Sequence, residues 1–260
     1  MNAVRIASLA FAASLSLPAF AADPGLMPPG RGPVAIQAPA IQDRETFYVA
    51  LRGGIAAVEP TDYRVSSLTT PPQVDIRTRY NPGATGLIAL GYEFGEVAER
   101  ISSRFEFEFG YTTVGVANHR RTITTPAPTI TLVDTFSGSN QGSTNAFTAM
   151  LGYYLDFQMG PLRPYIGGGV GIASIMFDRH RLNEPAGARA IMNDRDAKLA
   201  WHAGFGLSFE MRQGIIFDVG YRLLRVEDVN LTTRDSANVA LSSKTAYSSH
   251  QILAGFRVRF

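Results

Sequence analysis

The chain has no cysteine among its 260 residues. Disulfide scaffolds and thiolate metal sites are thereby excluded. It has no marked excess of either charge, with 24 Lys and Arg against 22 Asp and Glu. Nor do its basic residues cluster, so the electrostatic footprint of a nucleic-acid binder is missing and no nucleic-acid partner is expected. After the N-terminal segment, no stretch approaches the roughly 18 unbroken apolar residues of a membrane helix. No segment shows a helical period.

What is present begins with a targeting pattern. Met1 to Arg5 carry one positive charge, Ile6 to Leu17 are apolar apart from serines, and Pro18 precedes the small-residue site Ala19-Phe20-Ala21. This predicts a secretory signal peptide over residues 1–21, cut before Ala22. The apolar run is too short for an anchor, and with no cysteine nearby a lipid-modified N-terminus is not expected. Cleavage removes Arg5 and leaves 23 basic against 22 acidic residues in a chain of about 239. That length suits one β-barrel domain or two smaller domains. Residues 22–45, with Pro24, Pro28, Pro29, Pro33 and Pro39, lack any periodicity and read as a flexible tail.

From residue 46 to 260 alternating segments recur. Mean hydropathy is only +0.01, but an average hides alternation, because one face of a strand cancels the other. Phe47, Val49 and Leu51 oppose Ala50, Arg52 and Gly54 in the first segment, 46–56. Ile88, Leu90, Tyr92 and Phe94 oppose Ala89, Gly91 and Glu93 in the second, 84–94. The third, RFEFEFGY from Arg104 to Tyr111, sets four rings against Arg104, Glu106 and Glu108. The fourth, 145–157, opposes Phe147, Leu151, Tyr153, Leu155 and Phe157 to Thr148, Gly152, Tyr154 and Asp156. The fifth, glycine-rich, starts at Arg163 and puts Ile166, Val170 and Ile172 on one face. The sixth, 198–211, places Leu199, Trp201, Phe205, Leu207 and Phe209 opposite His202, Gly204, Ser208 and Glu210. The seventh, from Ile215, has Phe217, Val219, Tyr221 and Leu223 against Asp218, Gly220 and Arg222. In the last, Ile252, Ala254, Phe256, Val258 and Phe260 oppose Gly255, Arg257 and Arg259.

Each segment is about as long as the 9–11 tilted residues that cross a bilayer as a strand. The connections after segments two, four and six are short, whereas those near 57–83, 116–144, 178–197 and 226–246 are long and polar. Sorting of connections by parity is the outer-membrane pattern. The reading is therefore all-β: an eight-stranded antiparallel up-and-down transmembrane β-barrel, with short periplasmic turns, long extracellular loops and its rings facing lipid. Alternation from Thr122 to Thr135 is expected to prolong one hairpin above the membrane.

At RPYIGGGVGIA, DVGYRLLRVEDV and the closing HQILAGFRVRF, the chain resembles the small eight-stranded outer-membrane barrels. Within them it is most similar to the OmpA-barrel-like, opacity-type surface antigens of Gram-negative bacteria. The resemblance covers Thr46 to Phe260 and the signal peptide. It implies residence in the cell outer membrane, contact with outer-membrane lipid and lipopolysaccharide, and handling by periplasmic chaperones and the barrel-assembly machinery. Ile252, Ala254, Phe256, Val258 and Phe260 fit the terminal assembly signal of that family. The chain departs from OmpA in stopping at Phe260, so a peptidoglycan-binding domain and cell-wall anchoring are not implied. Long loops on a rigid scaffold would meet a host surface ligand, phage or antibodies.

The inward faces carry Arg52, Glu93, Arg104, Glu106, Glu108, Asp156, His202, Glu210, Asp218, Arg222, Arg257 and Arg259. In an interior just wide enough for side chains, opposite charges offset one another's desolvation. An ion-pair network closing the lumen is expected, with Glu106 and Glu108 facing arginines on flanking strands. Glycines 53, 54, 86, 91, 167, 168, 169 and 171 would leave room for long neighbours. The competing reading is a narrow water path lined by the same charges.

Glu106 and Glu108 lie two apart on one face, roughly 6–7 Å by strand geometry, and read as structural rather than as an acid/base pair. Histidines 119, 180, 202 and 250 lack ligand spacing, so neither a metal nor another cofactor is expected. GGGVG opens no helix and reads as strand glycine, and the sequon Asn230-Leu231-Thr232 is of a kind frequent by chance. Some small outer-membrane barrels are lipid A hydrolases with serine and histidine on the lipid-facing wall. Ser248 and His250 share a face near the outer rim, and Glu59 is placed to approach from the first strand. They match no hydrolase motif, and a polar collar at the lipid headgroups explains them equally well. Trp201 and the strand-end rings are expected in the interfacial aromatic girdles. The non-enzymatic surface barrel is the first reading, a small-solute channel the second and a lipid A-modifying enzyme the third.

Overall fold

The computed structural model describes residues 45–65, 73–126, 129–137, 142–183, 189–234 and 240–260. The signal segment 1–21 and, apart from Glu45, the tail lie outside them. Eleven strands make up the regular structure of the described residues: β1 (Thr46–Val58), β2 (Thr61–Val65), β3 (Gln73–Tyr80), β4 (Gly83–Ala98), β5 (Ile101–Pro126), β6 (Thr129–Ser137), β7 (Ser143–Phe157), β8 (Leu162–Asn183), β9 (Arg189–Arg212), β10 (Ile215–Arg234) and β11 (Ala240–Arg259).

Eight of them close a ring of antiparallel neighbours in the order β1, β4, β5, β7, β8, β9, β10, β11 and back to β1. A closed ring leaves no strand edge at membrane depth, which a bilayer requires because hydrocarbon cannot satisfy a free N–H or C=O. The register is staggered. From Tyr48, the paired residues run through Gly91, Glu106, Gly152, Gly169, His202, Leu224 and Ser249, returning to β1 at Val58. The return is ten residues beyond the start, and with ladder spacings of ~3.3 and ~4.8 Å it tilts the strands by about 40°.

The eight ring strands contain the eight alternating segments of the sequence. The outward faces form an apolar belt that includes Phe47, Leu51, Leu90, Phe107, Val170, Phe205, Ile252 and Phe256, all exposed. Rings pair across neighbouring strands on this wall, Phe47 with Tyr92 at 4.8 Å and Tyr111 with Phe147 at 4.7 Å between centroids. The short turns lie at one end. In the Gln213-Gly214 turn between β9 and β10, Gly214 has φ 81°, a conformation that costs other residues more.

The long connections differ from the expectation of loops. Among the described residues they are mostly strand. β8 pairs with β9 out to Asn183–Arg189 and β10 with β11 out to Arg234–Ala240, while β2 and β3 pair with each other and β3 runs along the upper half of β5. β5 turns back into β6, pairing Asn118–Pro126 with Thr129–Ser137, as the threonine alternation implies. These extensions were hidden in the sequence for a physical reason. Above the bilayer the outward face meets water instead of lipid, so only lumen-facing positions such as Ile76, Val226 and Val229 stay buried, and the apolar alternation that marks a lipid-facing strand fades.

Phe107 stands at mid-belt, so Phe107→Arg is expected to cost about 2–4 kcal/mol of unfolding free energy, as for lipid-facing arginine at a bilayer midplane. Urea titration in phospholipid vesicles would measure it, with Thr113→Arg nearer the outer rim costing less.

Candidate functional site: the enclosed lumen and its outer rim

The inward parity positions of the ring strands put every charged residue of the expected interior set inside the barrel, in the half nearer the short turns. Arg52 makes a bidentate pair with Glu106, at 2.7 and 2.6 Å, and reaches Asp218 at 3.4 Å. Arg104 lies 3.1 Å from Asp156 and 3.5 Å from Glu106. Arg257 touches Asp218 at 3.0 Å and Glu93 at 3.1 Å, and donates to Ser208 Oγ at 2.8 Å. Arg259 closes the short-turn end between Glu93 at 2.7 Å and Glu210 at 3.6 Å. Arg222 is bonded to Glu108.

The partners of Glu106 and Glu108 are a correction. The arginines that pair with them do not lie on the flanking strands. The residues beside Glu106 are Gly91 and Gly152, and those beside Glu108 are Ala89 and Met150. No neighbour there can pair with them, and the small ones leave the lumen open for reach. Glu106 therefore bonds to β1, two places along the ring, and Glu108 bonds to β10, diametrically opposite β5 in ring order. Arg104, on β5 itself, is the second cation at Glu106.

Further residues join the set. The Tyr48 hydroxyl donates to Glu106 at 2.7 Å and that of Tyr154 donates to Glu108. The Arg104 guanidinium lies 4.7 Å from the ring centroids of both Tyr154 and Tyr165, a cation–π sandwich. Arg163 lies 3.9 Å from Glu210. With it, six arginines face six carboxylates among the described lumen residues, so the interior carries no net charge while His202 is neutral. The glycines make space for the rings, since a Cβ on Gly91 or Gly167 would overlap Tyr48 or Tyr154. Parity alone could have identified Tyr48 as inward, because it precedes Arg52 by four.

A cavity of about 30 Å³ remains among Arg52, Arg104, Tyr154, Tyr165, His202 and Arg222. Neither ring nitrogen of buried His202 makes a hydrogen bond within the protein, and Nε2 lies 3.9 Å from Glu108 Oε2. The space suits about two water molecules, not a solute.

Toward the long connections the lumen changes character. Val114, Met150, Ile175, Phe177, Val226 and Tyr247 are buried together in an apolar cluster in the outer half. Two histidines sit beyond it, above the lipid belt. Their rings lie 5.5 Å apart. His119 Nδ1 is 2.8 Å from Thr78 Oγ1, and His180 Nε2 is 3.1 Å from both Ser143 O and Thr144 Oγ1. Burial, with His119 close by, pushes the His180 imidazole down to about 4. Among the described residues no group of three or more His, Asp or Glu is placed to hold a metal ion.

On the lipid-facing wall at the outer rim, Glu59 does approach His250. His250 Nε2 is 3.2 Å from Glu59 Oε1, and its Nδ1 is 2.6 Å from the Tyr221 hydroxyl. The bond to His250 holds the Glu59 carboxyl below the usual range. Both imidazole nitrogens are thus engaged, and neither is directed at Ser248, as a serine nucleophile would require.

Removing one member of a buried pair strands the other. Glu106→Ala should cost about 3–5 kcal/mol, and the Arg52→Ala, Glu106→Ala double variant less than the sum of the singles, by urea titration in detergent. The His180 imidazole is held neutral, so its contribution is complete above pH ~6.5 and fades as pH falls toward 4, by up to ~3 kcal/mol. Amide hydrogen exchange around Thr144 and His180 should accelerate over that range, and His180→Gln should flatten most of the dependence.

Comparison with known proteins agrees with this geometry. The model of the outer membrane protein beta-barrel domain matches residues 7–260. An uncharacterised protein of Brucella abortus is 24% identical over 197 residues, 68% of this chain and 69% of that one. The outer membrane protein PagN of Salmonella typhimurium is 24% identical over 117 residues, 44% of this chain and 49% of PagN. Among solved structures, the outer membrane protease OmpT of Escherichia coli aligns with a TM-score of 0.53 at 8% identity, covering 86% of this chain and 99% of OmpT. Neisserial surface protein A aligns at 0.45 with 15% identity, over 82% and 97%. At these identities the likeness to solved structures is one of fold.

Proposed function

Because the chain belongs to the outer membrane protein beta-barrel domain family, we propose that it serves as a non-enzymatic, surface-exposed barrel of the outer membrane whose lumen is closed. It would be embedded in outer-membrane lipid and lipopolysaccharide, support envelope integrity and present its long strand pairs to surfaces outside the cell. Its terminal residues Ile252, Ala254, Phe256, Val258 and Phe260 face lipid as the barrel-assembly signal expects, which supports handling by that machinery and periplasmic chaperones.

One observation carries the reading: two successive fillings of the same lumen. Below, arginine–carboxylate pairs reach across it, Arg222 to Glu108 along a diameter. Above, the cluster of Met150, Phe177 and Val226 occupies it. Neither filling resembles the aqueous bore of wider barrels. At the rim, Glu59, His250 and Tyr221 form a polar collar suited to headgroups, and the engaged imidazole argues against hydrolysis.

Reconstituted into planar bilayers, the protein is expected to show no steady conductance. A sustained open state would establish the channel reading instead. Lipid A compared by mass spectrometry with and without the protein should be unchanged, and a lost acyl chain would establish the hydrolase.

A further inference from the structure

The β5–β6 hairpin reaches far past the belt. β5 runs fifteen residues beyond Tyr111 to Pro126, about 50 Å of strand at ~3.3 Å per residue. One edge of β6 pairs with β5, and the other carries no ladder among the described residues. Leu132 and Val133 near its centre are 56% and 46% exposed. A long, weakly charged edge strand with exposed apolar residues is a template for another strand, and proteins usually protect such edges.

The sequence of β6 indicates which strand fits. TITLVDTFS, read backward from Ser137, nearly repeats itself about Val133. In an antiparallel pair of two copies, Val133 would stand opposite Val133, Thr131 opposite Thr135, Thr129 opposite Ser137 and Ile130 opposite Phe136. Such pairs of β-branched, hydroxyl-bearing and aromatic residues favour strand association. Only Leu132 with Asp134 is mismatched.

Symmetry then fixes where the second copy stands. Two antiparallel strands of one sheet are related by a twofold axis perpendicular to that sheet, and such a contact is isologous and closed. The sheet of β5 and β6 continues the barrel wall and so stands on the membrane. An axis perpendicular to it lies in the membrane plane and inverts the second barrel. Two copies in one membrane would offer each other parallel edges, whereas copies in facing membranes offer antiparallel ones. We propose that β6 is a homophilic contact strand that pairs with β6 of a second copy in an apposed outer membrane, joining cell to cell. The proposal goes beyond the closed-barrel reading and rests on its outward display of the hairpin.

The absence of native cysteine permits a clean test in intact cells. Two populations express full-length chains with different tags and single cysteines, and are mixed under mild oxidation. Opposed residues in an antiparallel ladder stand about 4.5–5.5 Å apart between Cα atoms, within disulfide range. Val133→Cys in both populations should therefore give a mixed-tag disulfide, as should Thr129→Cys mixed with Ser137→Cys. Thr129→Cys in both should give none, since those positions would lie roughly 26 Å apart. Val133→Lys, which sets like charges opposite one another, should abolish co-sedimentation of the two populations. If a membrane-impermeant maleimide labels Val133→Cys on intact cells but no mixed-tag dimer forms, or if every cysteine combination crosslinks alike, the pairing is overturned. Absence of maleimide labelling would overturn the outward display itself, and the pairing with it.

Discussion

Everything in this molecule follows from closing a sheet on itself in a solvent that cannot hydrogen-bond. Lipid permits no free edge, so eight strands must meet end to end, and the ten-residue stagger of the ring sets their tilt. Closure divides each strand's side chains between two environments with opposite demands. The outer wall takes Phe, Leu, Ile and Val because hydrocarbon surrounds it. The inner wall faces a bore of only eight strands, and the buried charge it carries is met there by opposite charge.

The lumen meets that demand with arginines whose partners come from several strands at once. Arg257 on β11 touches carboxylates on β10 and β4 and a hydroxyl on β9. The pairs Arg52–Glu106, Arg222–Glu108 and Arg257–Glu93 tie together strands that are not ladder neighbours, so the network braces the ring across its width. A buried pair need not stabilise more than apolar packing would, because desolvation offsets much of its attraction. Its value here is specificity, since a strand slipped by one residue would put arginine in lipid and phenylalanine in the lumen. In the outer half, where Met150, Ile175 and Phe177 belong to one buried cluster, apolar packing takes the place of ion pairs.

Strict alternation made much of this legible in the sequence. Arg104, Glu106 and Glu108 between phenylalanines could only be a two-sided strand, and segments of similar length with short and long connections in turn implied a closed barrel. Partnership across the lumen was not legible. It depends on the stagger of the ring, which no local pattern records, and on gaps beside Gly91 and Gly152 that send Glu106 toward β1. The outer apolar cluster was equally hidden. Val226, Val229 and Ile76 lie in stretches whose mixed polarity reads as loop, and they acquire a common interior only once the strands continue above the bilayer. Ser248, His250 and Glu59 show the reverse case: proximity was foreseen, but the contact with Tyr221 that occupies the second imidazole nitrogen was not.

The central claim is that the ring-bearing faces meet hydrocarbon and the charged faces are enclosed. Fluorescence depth measurement tests it most directly, with one tryptophan placed at position 107 in a Trp201→Phe background and the protein reconstituted in bilayers with brominated acyl chains. The account predicts blue-shifted emission strongly quenched by the bromines and indifferent to aqueous iodide. Emission at the wavelength of water-exposed indole, quenched by iodide and untouched by the brominated chains, would contradict it.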